Sequence, residues 1–229
     1  MTPLEEQERV EALHRYAVLN TPENRAFDRI VRMAALSTGA QAAVMALSDA
    51  DRIWFKARHA FDHEELDRGS LLCDTALSKA PVDVVLDAAT EPPLAAHPLV
   101  AGEGFRFYAA APLVTFDGYR IGSLCVLDRR KRAFPVAARQ SLVDFAALLM
   151  ELLELRLSTV TVVKGLTQAL EQYESGGGRE ELFTICAWTK RIKIADQWLS
   201  FEEFLETRFD AIVSHGIHPD IADSMREDF

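Results

Sequence analysis

The side chains best suited to covalent or redox chemistry in this chain are three cysteines, Cys73, Cys125 and Cys186. Because they are odd in number and widely spaced, they do not indicate a disulfide framework, and we expect reduced thiols. Thiol redox catalysis needs an attacking thiolate and a resolving thiol within its reach. No second cysteine lies near Cys73 in the sequence, and Cys125 falls in an apolar run typical of a strand interior. The sequence therefore does not predict a thiol enzyme.

Motifs for other chemistry are also missing. The chain contains no Gly-x-Ser-x-Gly elbow, no glycine-rich phosphate loop, no kinase nucleotide motif and no Gly-Gly-Asp/Glu-Glu-Phe signature. A formal net charge of −10 argues against nucleic-acid binding, which needs clustered Lys and Arg. No run approaches the roughly 20 apolar residues of a membrane span, and the acidic N-terminus does not resemble a signal peptide. We expect a non-enzymatic cytoplasmic protein that binds neither membranes nor nucleic acids.

Hydrophobic periodicity predicts the elements that would position any site. Helices are expected at 4–19 and 23–38, with Gly39 at the C-cap position of the second. A strand hairpin follows over 41–58, then a helix at 69–80, a buried strand at 82–86 and a long loop at 87–101. Residues 105–113 and 121–127 are apolar on both faces and are joined by a Phe-Asp-Gly turn, which predicts two central strands.

After Pro135 the pattern is helical for about forty residues and carries an apolar seam with alternating spacings of three and four. The seam residues that we expect at a dimer contact are Leu148, Leu152, Leu155, Val162 and Leu166. Two interpretations remain open, a helix packed on its own domain and a parallel dimeric coiled coil. A glycine-rich linker is predicted at 176–179, followed by a small aromatic-rich module at 180–229.

Three segments carry a family resemblance: Asp-Arg-Ile-Trp-Phe-Lys at 51–56, Arg-Phe-Tyr-Ala at 106–109, and Ile-Gly-Ser-Leu-Cys-Val-Leu-Asp at 121–128. In this order they resemble the sheet of a GAF domain, the small-molecule sensing module of many bacterial signalling proteins. The resemblance covers roughly residues 4–155 and places a GAF sensory domain at 1–155, with a signalling and dimerisation helix at 135–175. It implies an α+β fold in which helices flank a central antiparallel sheet.

The resemblance also implies a pocket on the sheet face away from the terminal helices. The candidate ligand-binding residues at the matching positions are Trp54, Phe55, Cys73, Asp87, His97, Phe107, Tyr108 and Ala110. Their chemistry suits a largely apolar cavity with a few polar contacts. Each aromatic residue taken alone is more typical of an ordinary core than of a ligand contact.

Three ligand chemistries known in GAF domains have sequence signatures that can be sought among these residues. The Asn-Lys-x-Phe-x-Asp-Glu signature of cyclic-nucleotide binding is missing, and Cys73 is followed by Asp74 rather than by the His typical of bilin attachment. Free methionine sulfoxide reductases use several cysteines around the pocket, whereas this chain offers Cys73 without an evident resolving thiol. The ligand is therefore unidentified and the cofactor unknown.

The tail resembles a short C-terminal module of bacterial signalling proteins, in which two cysteine pairs suit a tetrahedral zinc site. This chain retains the first cysteine as Cys186, while Thr189, His218 and Ile221 occupy the other three positions. Cys186, His215 and His218 are the candidate ligands that remain, and we predict an apolar module without a metal.

These features predict a GAF sensor that binds a small molecule and relays the signal through a dimeric helix to its C-terminal module or to a signalling protein partner. The alternatives are a thiol redox enzyme of the free methionine sulfoxide reductase type and a ligand-free protein-interaction adaptor.

Overall fold

The computed structural model describes residues 2–68, 80–174, 184–186, 189, 191–194 and 196–209, with the backbone alone at 160–174, 205, 208 and 209. The chain divides into two compact units, Met1–Ser158 and Thr159–Phe229. The predicted helix at 69–80 lies almost wholly outside the described residues, and so does the predicted linker at 176–179.

The first unit is built on an antiparallel sheet of six strands in the order β3-β2-β1-β6-β5-β4. The strands are β1 Ala42–Ser48, β2 Arg52–His59, β3 Glu65–Asp67, β4 Asp83–Val85, β5 Phe107–Val114 and β6 Arg120–Asp128. The strands β1, β6 and β5 form the centre of the sheet, and their residues are almost all buried. The α+β fold predicted from the sequence is confirmed.

The helices of the first unit are α1 Pro3–Arg15, α2 Arg25–Thr38, α3 Pro92–Ala95 and α4 Pro98–Ala101, with a 3-10 turn at Ala88–Thr90; α5 spans Val136–Glu174. Thr2 and Glu5 form a capping box at the start of α1, and the Asn24 side chain caps α2. The boundary between the two units falls within α5.

One face of the sheet packs against α1, α2 and α5. Alternate residues of the central strands, among them Met45, Leu47, Leu124 and Val126, meet apolar residues of these helices in one continuous buried cluster. Strand geometry sends every second side chain to this face, and the same alternation sends the intervening residues to the other. The long helices therefore cover one face, and loops together with the short helices α3 and α4 cover the other.

Two glycines are required by the backbone. Gly39 ends α2 with φ of 67°, the left-handed conformation predicted for its C-cap, and Arg132 donates to the carbonyls of Thr38 at 2.6 Å and Gly39 at 2.5 Å. At Gly122 a Cβ atom would collide with the carbonyl oxygen of Ala46, because β1 and β6 approach closely there. Any larger residue must push these central strands apart.

Side-chain bonds hold α1 against the sheet. The buried Arg9 guanidinium donates to the Ser48 carbonyl at 2.6 Å and pairs with the Glu6 carboxylate at 2.7 Å. Tyr16, also buried, donates its hydroxyl to Glu154 Oε1 on α5 at 2.5 Å. The leading helix is thus an integral part of the first unit.

Two sequence predictions need adjustment. The strand expected at 82–86 spans Asp83–Val85 at the edge of the sheet, so it is half-buried rather than buried, and Leu86 is 51% exposed. The predicted 41–58 hairpin is present, but a bulge between Met45 and Ala46 shifts its register and leaves Lys56 as an extra residue in β2.

The second unit contains a small antiparallel sheet and a helix. Its elements are β7 Thr184–Ile185, β8 Ile192–Ile194, β9 Gln197–Leu199 and α6 Phe201–Phe209. Ile192 and Phe204 are buried, while Trp198 is 42% exposed.

Candidate functional site

The sheet face opposite the long helices forms the candidate site. Its inner layer consists largely of small side chains, Ala42, Val44, Ala46 and Ala110, with Phe55, Tyr108, Cys125 and Leu127 among them. Leu99 and Val100 of α4 pack over this layer with the loop residues Phe61 and Phe105. The face is therefore apolar and combines small side chains with the larger Phe55, Tyr108 and Leu127.

A short polar series crosses this apolar layer. The Tyr108 hydroxyl lies 3.3 Å from Cys125 Sγ, and the Ser123 hydroxyl lies 3.1 Å from the same sulfur. The direct neighbours of Cys125 on the adjacent strands are Val44 and Ala110, neither of which contributes a polar side chain. All three polar side chains are buried. This arrangement places hydrogen-bonding groups within a buried apolar layer, the combination of chemistries that small-molecule sites use.

Loops close one end of this face. Phe61 stacks edge-on against Phe55, with ring centroids 5.1 Å apart, and its ring lies 6.0 Å from that of Phe105. The Arg129 guanidinium sits 4.5 Å from the Phe105 ring, and His63 contacts the Glu103 carboxylate. These contacts join the β2–β3 loop to the segment that precedes β5.

Two of the predicted polar residues, Asp87 and His97, form hydrogen bonds within the segments that precede β5. Asp87 accepts two bonds from Arg106, at 2.9 Å and 2.5 Å, and these hold the pKa of its carboxyl below the usual value. His97 Nδ1 accepts from the Leu99 amide at 3.1 Å and so caps α4. Burial lowers the pKa of His97, which favours the neutral imidazole that can accept this bond.

The structure brings together only part of the predicted ligand set. Phe55, Tyr108 and Ala110 share the candidate face. Phe107 faces the helices instead, where its ring lies 5.3 Å from that of Phe134, and Trp54 also packs against the helix-facing cluster. Strand alternation separates these residues, because neighbours along a strand point to opposite faces. Cys73 lies outside the described residues.

Ser123 and Cys125 were not among the predicted site residues. Their signal was available in the Ile-Gly-Ser-Leu-Cys-Val-Leu run, where Ser and Cys are two residues apart and so share a face. Phe61 and Arg129 had no such signal, because loop residues reach the site only through the fold.

Strand β2 holds a buried cation next to this region. Lys56 Nζ donates to Thr21 Oγ1 at 2.7 Å and to the Pro22 carbonyl at 2.6 Å, and it lies 5.5 Å from the Trp54 ring centroid. Burial, with a smaller effect from the nearby Arg156 charge, lowers the pKa of Lys56 to about 8. These hydrogen bonds connect the segment between α1 and α2 to the bulge in β2.

The candidate metal ligands are only partly described. Cys186 Sγ accepts from the Thr189 amide at 3.4 Å, whereas His215 and His218 lie outside the described residues. Within the described part of the chain, no group of three or more His, Cys, Asp or Glu side chains is close enough to hold a metal ion.

The predicted dimer seam begins on the exposed side of α5. Leu148 is 43% exposed and Leu155 is 65% exposed, while Leu152 packs partly against the core of the first unit. The side chains of Val162 and Leu166 are outside the described set.

The sequence model of the GAF domain family matches residues 22–155, more than half of the chain. The chain therefore belongs to the GAF domain family. Within the described residues, none of the helices has both the length and the apolar character needed to cross a membrane.

A curated relative is named as a cyclic di-GMP phosphodiesterase of Pseudomonas aeruginosa, with 34% identity over 151 residues. The matched region is 65% of this chain and 26% of the relative, so the chain spans about a quarter of that protein's length.

Solved structures with similar folds include two from bacteria. The GAF domain of an Acinetobacter phosphoenolpyruvate-protein phosphotransferase is 16% identical, with a TM-score of 0.49 over 67% of this chain and 95% of that chain. A free methionine-R-sulfoxide reductase from Neisseria meningitidis is 18% identical, with a TM-score of 0.47 over 66% of this chain and 85% of that one.

Proposed function

We propose that this chain is a non-enzymatic sensor in which a small molecule binds the Tyr108–Cys125 face of the GAF sheet. Binding changes the arrangement of α5, which pairs two copies of the chain and passes the change to the C-terminal module or to a separate signalling protein. The membership of the GAF family is consistent with this sensory role.

The observation that carries the proposal is the polar series of Tyr108, Cys125 and Ser123 within a layer of small side chains. A core selected only for stability gains nothing from hydroxyl and thiol groups at these central positions, since burying a polar group costs free energy unless it is hydrogen-bonded. Alanine and valine beside hydrogen-bonding side chains instead suit a face that accommodates a molecule in contact with polar groups.

A physical route for the relay leads from this face to α5. The β5–β6 turn connects the strands that carry Tyr108 and Cys125, and the Phe116 amide at this turn lies 3.5 Å from Glu154 Oε1. The same oxygen accepts the Tyr16 hydroxyl, and Arg15 pairs with Asp117 of the turn at 2.6 Å. A ligand could shift this junction only by binding one arrangement more tightly than the other.

The dimer is supported by the exposed leucines of α5, because Leu148 and Leu155 would otherwise leave apolar surface in water. Light scattering across a range of protein concentrations tests it. A monomer at every concentration would remove the dimeric relay, although ligand binding to the sheet face would still stand.

The ligand part is tested by native mass spectrometry of the purified protein and by thermal shifts with a panel of metabolites. Ala110→Val adds two methyl groups beside Cys125, and we expect it to abolish the bound mass or the shift. Ala137→Val, at an exposed position of α5, is the matched control and should keep binding intact. Equal binding by both variants would contradict a site on this face.

The non-enzymatic part is tested by assaying reduction of free methionine sulfoxide with a thiol reductant. We expect no turnover by the wild-type chain. If the wild-type chain reduces methionine sulfoxide and Cys73→Ser abolishes that activity, the sensor proposal would be wrong and the redox enzyme would take its place. The phosphodiesterase activity named for the Pseudomonas relative is not assigned to this chain, which matches only a quarter of that protein.

A further inference from the structure

The sheet face proposed as the ligand site is closed in this structure. Tyr108, Ala110 and Cys125 are each no more than 2% exposed. The long helices cover the back of the sheet, while α4, Phe61 and Phe105 cover this face. A small molecule can therefore reach the face only if one of the covering segments moves.

Backbone hydrogen bonds hold one part of the cover, α4 and the segment before β5, in place. The Phe105 amide donates to the Leu99 carbonyl at 2.9 Å, and the Arg106 amide donates to the Asp128 carbonyl of β6 at 2.9 Å. This part of the cover is thus bonded both within itself and to a central strand of the sheet.

The β2–β3 loop, residues 60–64, forms the other part of the cover and is held more weakly. Within the described part of the chain, residues 60–63 take no part in backbone-to-backbone hydrogen bonds, and the Asp62 carbonyl accepts a 3.3 Å bond from the Arg58 side chain. Ala60 has φ of 50°, a left-handed conformation that costs energy in a residue with a Cβ atom. Because segments with few hydrogen bonds open more readily than strands, we expect this loop to move first.

Side-chain contacts keep the loop closed. The Phe61 ring lies 5.1 Å from that of Phe55 and 6.0 Å from that of Phe105, measured between centroids. His63 contacts the Glu103 carboxylate, on the firmly held part of the cover. Loss of these contacts would free the Phe61 ring to leave the buried cluster.

A cavity of about 580 Å³ adjoins the loop along β2. Its lining shares two residues, Phe55 and Phe61, with the buried cluster of the sheet face. The other lining residues belong to β2, to the β2–β3 loop, to the α1–α2 connection and to the first turn of α2. Phe61 therefore lies where this cavity meets the covered face.

We propose that Phe61 is the gate of the ligand site, and that a small molecule passes from the cavity beside β2 to the Tyr108–Cys125 face when the Phe61 ring turns outward. This inference rests on the function proposed above, because it takes that face as the binding site. It adds the route of entry and the side chain that controls it. The strength of the Phe61 contacts then sets how often the face opens.

Alkylation of Cys125 by iodoacetamide measures this opening without knowledge of the ligand. Cys125 is fully buried beside Tyr108, so its sulfur reacts only when the face opens. Peptide-resolved mass spectrometry of the full chain separates the rate at Cys125 from the rates at the other two cysteines. We expect Phe61→Ala to raise the rate roughly tenfold or more, because it removes the ring that fills the gate. His63→Ala should raise it about threefold, because it removes a partly exposed contact.

Two truncations of buried residues are the matched controls. Phe134→Ala removes a ring of the same size from the helix-facing core, and Leu99→Ala removes a side chain from the firmly held part of the cover. Each should change the rate at Cys125 by less than about twofold in the folded protein. Circular dichroism verifies folding, and His63→Ala, at a partly exposed side chain, carries the test if Phe61→Ala does not fold.

The gate is overturned if the folded loop variants leave the rate at Cys125 unchanged. It is also overturned if Leu99→Ala raises the rate more than Phe61→Ala, which would place the entrance at α4. An equal rise in Phe134→Ala would indicate reaction from the globally unfolded chain and would likewise remove the gate.

The labelling result is independent of the search for a ligand. If labelling follows the loop variants and no metabolite binds, the gate stands and the proposed function is wrong. If a metabolite binds while Phe61→Ala labels at the wild-type rate, the proposed function stands and the gate is wrong.

Discussion

The two faces of the central sheet are made from the same strands but differ in character. On the helix-facing side the central strands contribute alanines together with larger apolar residues such as Met45, Leu47 and Leu124, and the helices cover them with further apolar side chains. On the opposite side the same strands contribute alanine, valine and leucine, together with the polar side chains of Tyr108, Ser123 and Cys125. Apolar packing against the helices dominates one face, whereas the hydrogen-bonding side chains lie on the other.

This difference indicates how a small domain can hold a binding surface without losing its core. Large side chains on the helix-facing side supply the burial that stabilises the strands. The opposite face can then keep small and polar residues, each of which contributes less to stability. Mutations should therefore separate the two roles.

The largest effect is expected at Gly122, where both faces depend on the close approach of β1 and β6. Gly122→Val places side-chain atoms against the Ala46 carbonyl, so the central strands must separate. We expect a loss of more than about 4 kcal/mol, or no folded protein at all. Chemical denaturation measures it, and a stability within about 1 kcal/mol of the wild type would contradict the close approach.

The second prediction compares neighbouring residues of β6 that point to opposite faces. Leu124→Ala removes a fully buried side chain from the helix-facing core and should cost about 3 kcal/mol. Cys125→Ala, on the candidate face, should cost about 1 kcal/mol because it removes a smaller group and a weak hydrogen bond. If denaturant unfolding shows that the two variants lose equal stability, the proposed difference between the two faces would be wrong.

The third prediction concerns the acid stability of the helix-covered side. Burial raises the pKa of Glu6, but ion pairs with Arg9 and Arg68 outweigh it and lower the pKa to about 2 from 4.5. Because the folded pKa is depressed, the stabilisation is complete above pH 4.5 and is lost as pH falls toward 2. Glu6→Gln should cost roughly 2 kcal/mol at neutral pH, allowing for partial exposure. The variant and the wild type should converge near pH 2 in acid titrations of stability.

The last prediction concerns the effect of Lys56 on stability at alkaline pH. Its pKa is lowered to about 8 from 10.5, so between these values the unfolded chain binds a proton that the folded chain has lost. Between pH 8 and pH 10.5, the contribution of Lys56 to the free energy of unfolding therefore increases as the pH rises. Subtracting the pH profile of Lys56→Met from that of the wild type isolates the increase, and a flat difference would contradict the lowered pKa.

The sequence specified the strands and helices better than the faces of the strands. The position of Gly39 after an apolar helix predicted its left-handed conformation, because the signal is local. Phe107 and Tyr108 were both assigned to the pocket, yet adjacent strand residues must face opposite ways, and a strand that is apolar on both faces does not reveal which way. The bulge at Lys56 depends on pairing between two strands, which no local pattern records.

The attachment of α1 has a practical consequence for anyone who transplants this module into a chimaera. The family match begins at residue 22, but Leu13 and Tyr16 are buried in the core, and the Tyr16 hydroxyl reaches Glu154 across 138 residues. A fusion junction placed at the start of the match would expose apolar surface and leave Glu154 without that donor. A transplanted cassette should start no later than Thr2, whose side chain caps α1.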